Sequence, residues 1–75
     1  MDLTAEEFLK KLDKCITHYR KMQVETADDI DLAHFFDPKL KKFLLDNKSI
    51  INTLFGMKSL LPFQKFVTGY IWKGK

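Results

Sequence analysis

Apolar residues recur along this chain at helical spacing, most densely from Ile50 to Trp72. Phe63, Phe66, Val67, Tyr70 and Ile71 fall at i, i+3, i+4, i+7 and i+8, which stacks them along one stripe of a helix. A strand would place Lys65 and Gly69 on one face with Phe63, Val67 and Ile71, mixing a charge and a glycine into an apolar surface. The pattern therefore predicts a terminal helix over 62–72. Pro62 suits its first position, because the fixed φ is already helical and the missing N–H would have no intrahelical partner there. Val67, Thr68, Tyr70, Ile71 and Trp72 are poor helix formers, so packing has to hold this helix in place.

Before it, Ile50, Ile51, Leu54, Phe55, Met57 and Leu61 give a second apolar stripe, with Asn47 or Ser49 as the N-cap. Gly56 inside it marks either a close helix contact or a break, since glycine costs about 1 kcal/mol against alanine in a helix interior. Asn52, Lys58, Pro62, Gln64 and Lys65 interrupt the 50–72 run, which excludes the ~20 consecutive apolar residues of a membrane span.

At the other end, Thr4-Ala5-Glu6-Glu7 is a capping box with Leu3 and Phe8 at the staple positions. Phe8, Leu9, Leu12, Cys15, Ile16 and Tyr19 then follow at helical spacing, predicting a helix over about 5–22 with Arg20 and Lys21 near its C-terminus. Thr26-Ala27-Asp28-Asp29 repeats the capping arrangement and opens a short second helix, which Asp37-Pro38 stops at Phe36 or Asp37. Asp37 caps a third helix, with Leu40, Phe43 and Leu44 inward and Lys39, Lys41 and Lys42 outward. The fold expected is all-α, a small orthogonal bundle of four to five short helices in a single domain, 1–75. Its first and last helices form the long walls, and Phe35, Phe36, Phe43 and Phe55 fill between them.

Charge adds an asymmetry that the net value of +3 conceals. Residues 1–37 carry five Lys/Arg against nine Asp/Glu, a net −4, and residues 38–75 carry eight Lys against one Asp, a net +7. Such a distribution steers anionic partners to one face and cationic partners to another, or pairs two copies, unless the halves simply satisfy each other within the fold. The lone Cys15 precludes an internal disulfide, and the N-terminus lacks a signal-peptide pattern, so an intracellular protein is expected.

Candidate chemistry changes little. Cys15 and His18 share a helix face three residues apart, as metal ligands or a thiol–imidazole pair can. A structural zinc site needs four ligands, however, and His34 is the only other histidine, so Cys15 is read as a small buried hydrophobe and His18 as a flanking polar residue. Asp28, Asp29, Asp31 and Asp37 do not form a calcium loop of the EF-hand kind, because Ala33 and Lys39 stand where glycine and a bidentate glutamate are required. No metal, cofactor or catalytic signature is expected.

Two binding readings remain. Seven Phe, two Tyr and one Trp are many for so small a core, so that either short helices with wide buried faces pack them all inside or Phe35, Phe36, Tyr70 and Trp72 form an exposed patch for a protein partner or a second copy, as in a homodimer. The alternative is nucleic-acid binding through the lysine-rich half, with Lys39, Lys41, Lys42, Lys65 and Lys73 as phosphate contacts and Tyr70 and Trp72 as stacking groups. Against it, Arg20 is the only arginine and lies in the acidic half, so arginine readout of guanine is missing from the basic one. Contact of the same lysines with an anionic membrane surface ranks third, and an enzyme last. The expectation from sequence is a small non-enzymatic protein-binding module, whether adaptor, inhibitor, regulator or small subunit.

Overall fold

The computed structural model describes residues 4–25 and 29–73, which form an all-α bundle of five helices. The helices are α1 (Ala5–Glu25), α2 (Asp29–Phe35), α3 (Pro38–Asp46), α4 (Lys48–Met57) and α5 (Leu61–Phe66), the last running directly into a π-helical turn, Val67–Ile71. The Cα radius of gyration is 11.8 Å, near the roughly 11 Å of a compact chain of this length.

The capping box forms as expected. The Thr4 N–H donates to the Glu7 carboxylate at 3.0 Å, and the Glu7 N–H donates to the Thr4 hydroxyl at 3.1 Å. The Thr4 backbone N–H first, and its hydroxyl second, hold the Glu7 carboxyl below its ordinary range. Leu3, the outer staple residue, lies outside the described residues, while the Phe8 ring packs on Phe43 with centroids 5.1 Å apart. α1 runs on to Glu25, so Arg20 and Lys21 do not occupy its last turn. Its buried stripe is Leu12, Cys15, Tyr19 and Met22, and Leu9, expected on that stripe, is half exposed at its edge.

The cap expected at Thr26, Ala27 and Asp28 lies outside the described residues. Asp37 caps α3 through its carboxylate, which accepts the Lys39 N–H at 2.8 Å, with Pro38 in the first turn. The junction between α3 and α4 is the single residue Asn47, which occupies the N-cap position of α4 without a side-chain capping bond. Its amide instead donates back to the Phe43 carbonyl at 2.9 Å, a second donor there beside the Asn47 backbone N–H at 3.1 Å. Ser49, the other expected cap, lies inside α4.

The terminal segment departs most from expectation. α5 begins at Leu61, and after Phe66 the ladder widens, so that the Trp72 N–H donates to the Val67 carbonyl five residues back at 2.9 Å. In an α-helix, Trp72 would sit about 140° around the axis from Val67. The wider turn brings i and i+5 into line, so Val67, Ile71 and Trp72 all face the core and Tyr70 rotates outward. The Trp72 indole N–H then donates to the Leu44 carbonyl in the last turn of α3 at 3.0 Å.

One apolar cluster draws on every helix, with Leu32 from α2, Phe43 and Leu44 from α3, Ile51 and Phe55 from α4, and Phe63 and Phe66 from α5. Phe66 is central, its ring 4.9 Å from Tyr19 and 5.3 Å from Phe36. Phe35, expected among the core phenylalanines, is 64% exposed, because its neighbour Phe36 takes the inward direction and adjacent positions cannot share it. Gly56 marks neither a break nor a close approach, since it lies within α4 and a Cβ there would meet nothing within 4 Å.

Two stability changes follow from this packing. Trp72→Phe keeps an aromatic ring but shrinks it and leaves the Leu44 carbonyl without its donor, and should lower the free energy of unfolding in urea by at least about 1–3 kcal/mol. Gly56→Ala fills open space on a helix and should raise it by about 1 kcal/mol; a loss instead would mean that the position is not free in solution.

Candidate functional site

The aromatic residues singled out from sequence do not form one surface. Phe35 and Tyr70 are exposed, whereas Phe36 and Trp72 are 1% and 5% exposed and belong to the core. Phe36 is held between Phe66 and the His18 ring, whose centroid lies 4.7 Å away. Trp72 is drawn in by the π-turn, meets the Phe55 ring at a tilt with centroids 5.8 Å apart and carries the Lys48 ammonium 5.7 Å from its own ring. Phe36 is enclosed, whereas Trp72, though largely buried, forms one wall of an open groove of about 420 Å³ with Lys48, Ser49, Asn52 and Thr68.

The lysines are dispersed as well. Lys39 and Lys42 are exposed on α3, Lys41 is partly buried on another side of it, Lys65 lies on α5, and Lys73 follows Trp72. A different basic surface takes their place. Lys11 of α1 joins Lys39 and Lys42 around a shallow groove of about 350 Å³ floored by Phe43 and Asn47, with the Lys11 ammonium 5.8 Å above the Phe43 ring. Asp46 tempers it through an i, i+4 ion pair with Lys42 at 3.2 Å. Lys11 escapes a reading by halves because it lies in the acidic half of the sequence. The signal was the run Lys10, Lys11 and Lys14 opposite the apolar stripe of α1.

Cys15 and His18 have separate structural roles. Cys15 is fully buried, and burial pushes its thiol up from 9.0 to about 12, outweighing the pull of Lys11, with the Asp37 charge raising it further. A thiol held protonated is a poor nucleophile and a poor ligand. His18 Nε2 accepts the Asp37 N–H at 3.1 Å, so a side chain of α1 satisfies the backbone at the start of α3. This bond assigns the neutral ring proton to Nδ1. His34 is exposed on α2 and meets Phe35 edge-on at 4.8 Å. Among the described residues no group of three or more His, Cys, Asp or Glu side chains could hold a metal ion, and no helix is long and apolar enough to cross a membrane.

Exposed apolar side chains occur singly on other helices, at Leu9, Val24, Phe35 and Leu61, and share one helix face on α4. Ile51 and Phe55 turn inward, but Ile50 and Met57 remain 56% and 75% exposed, with the half-buried Leu54 between them. At i, i+4 and i+7 these three share one helix face, roughly a third of a turn from the buried one. Against this, a cleft of about 140 Å³ between α1 and the α4–α5 turn, edged by Arg20, Gln23 and Ser59, has room for only a few waters.

Comparison of this chain with protein families, with curated proteins and with solved structures finds no match.

The buried thiol gives a pH dependence with a definite sign. Cys15 ionises near 9.0 when unfolded but stays protonated in the fold to about 12, so the unfolded state binds fewer protons in that interval and stability falls as pH rises. The stability difference between wild type and Cys15→Ala should shrink by about 1.4 kcal/mol per pH unit above 9. The native thiol should also resist Ellman's reagent at pH 8, reacting only as the chain unfolds.

Proposed function

We propose that the chain is a small intracellular protein-binding module, acting by occupying a partner's surface rather than by chemistry. The observation that carries this reading is the second apolar face of α4, Ile50, Leu54 and Met57, which a domain with so little core would bury if its own fold offered a place. Occupancy as adaptor, inhibitor, regulator or small subunit fits such a surface. The protonated, enclosed Cys15 supports binding over catalysis.

A second reading rests on the groove where Lys11, Lys39 and Lys42 meet, which fits the phosphates of a nucleic acid. It is the weaker, because Lys42 is already paired with Asp46 and Phe43 beneath the groove is buried, leaving no exposed ring there for a base to stack on.

The test is capture of binding partners from the native host on a tagged full chain, after nuclease treatment and at high salt. The wild type should retain a defined protein that Ile50→Glu/Met57→Glu loses, each exposed change altering stability by no more than about 0.5 kcal/mol. Lys39→Glu/Lys42→Glu should retain it. If nucleic acid is captured instead, and is lost with rising salt and with the lysine variant, the second reading replaces the first.

A further inference from the structure

Resting on the protein-binding reading, we infer that the groove between α4 and the π-turn seats the free C-terminal residue of a different protein, its carboxylate on Lys48 and its apolar side chain against Trp72. Lys48, Ser49 and Asn52, at i, i+1 and i+4 of α4, form one wall of this groove of about 420 Å³, and Thr68 and Trp72 form the other. That side of α4 lies roughly opposite Ile50, Leu54 and Met57, so the two surfaces can be altered separately.

The two walls differ in chemistry. On the α4 wall, the Lys48 ammonium, the Ser49 hydroxyl and the Asn52 amide engage no hydrogen-bond partner among the described residues. On the π-turn wall, the Thr68 hydroxyl already donates to the Gln64 carbonyl at 2.9 Å and the Trp72 indole N–H to the Leu44 carbonyl at 3.0 Å, so neither has a donor left for the groove. The Lys48 ammonium stands 5.7 Å from the Trp72 ring centroid, and its aliphatic stem extends the apolar surface beside the ring. A cation and an apolar surface are thus held side by side.

Charge selects an anion. No Asp or Glu lines the groove or occurs anywhere from 47 to 75, and Asp46, two residues before Lys48, is already paired with Lys42 at 3.2 Å. One lysine matches a monoanion, not the successive phosphates of a nucleic acid. The last residue of a chain carries a carboxylate, an amide N–H and a side chain on a single carbon. The carboxylate accepts from Lys48 and Ser49, the N–H donates to the Asn52 side-chain carbonyl, and the side chain covers Trp72. A free amino acid would instead bring an ammonium that Lys48 repels. An open groove also encloses too little of a small molecule to hold it alone, whereas the end of a chain makes its remaining contacts outside.

The inference is tested by adding N-acetyl-phenylalanine to the isotope-labelled full chain and following the Trp72 indole N–H, the Asn52 side-chain amide and the Ser49 and Thr68 backbone amides by NMR. Saturable shifts centred on these groups are expected, with a dissociation constant of roughly 1–10 mM. N-acetyl-phenylalaninamide, which lacks the charge, should bind at least about tenfold more weakly, and so should N-acetyl-phenylalanine to Lys48→Met, while Ile50→Glu/Met57→Glu leaves its affinity within about twofold. Absence of saturable shifts, or equal binding of the amide, would overturn the inference. Benzoate, which lacks the amide N–H, and inorganic phosphate separate a small-anion site from a seat for a chain end; either one binding as tightly as N-acetyl-phenylalanine overturns it as well. A dimer in sedimentation equilibrium that Lys48→Met dissociates does the same. Host capture of a protein through Ile50 and Met57 checks the protein-binding reading by itself, so that reading can stand where the C-terminal residue falls.

Discussion

The indole N–H of Trp72 closes the bundle by donating to the carbonyl of Leu44, 28 residues earlier in the chain. Both groups are buried, and each would be costly to enclose unpaired. Their pairing draws the C-terminal segment into the space between α3 and α4 and lets the Phe55 and Trp72 rings meet. Val67 and Ile71 are carried inward with it, and Phe66 can meet Tyr19 of α1 and Phe36 after α2 at the same time. A chain this short has little apolar area to spare, and a last segment left outside would remove Phe66, Val67, Ile71 and Trp72 from its one buried cluster.

The same closure decides what is left for the surface. An α-helical terminal segment would turn Tyr70 to the core and Trp72 to solvent; the π-turn exchanges them, at the cost of an irregular ladder in residues that form helices poorly in any case. With every helix turning its buried stripe to one cluster, the outer face of α4 packs on none of the described residues. The fold thus creates the exposed stripe on which the proposed function rests.

Much of this order was legible in the sequence, and the rest was lost for identifiable reasons. The Thr4–Glu7 box, the Asp37-Pro38 start and the apolar stripe of α1 are local signals, and each appears with the hydrogen bonds or burial expected of it, apart from Leu9 at the edge of the stripe. Trp72 was misplaced because a period of 3.6 does not anticipate a ring closed at i+5. The Phe35/Phe36 pair carries no local mark of which ring goes inward; that is settled by Phe66, some thirty residues away. His18 reads as a flanking polar residue until the fold sets it beside the Asp37 N–H. The basic groove was hidden for the same reason, since Lys11 joins Lys39 and Lys42 only when α1 packs on α3. On α4, adjacent apolar positions suggested one broad buried face, and only the position of its neighbours divides Ile51 and Phe55 from Ile50 and Met57.

The most direct test of this account is native-state hydrogen exchange of the Trp72 indole N–H, whose signal is unique because the chain has one tryptophan. If that bond closes the bundle, its exchange free energy should equal the global free energy of unfolding measured in urea, with Val67 and Ile71 amides close behind. Exchange at a free energy lower by about 2 kcal/mol or more would show that the C-terminal segment opens while the rest stays folded, contradicting the dependence of the bundle on it.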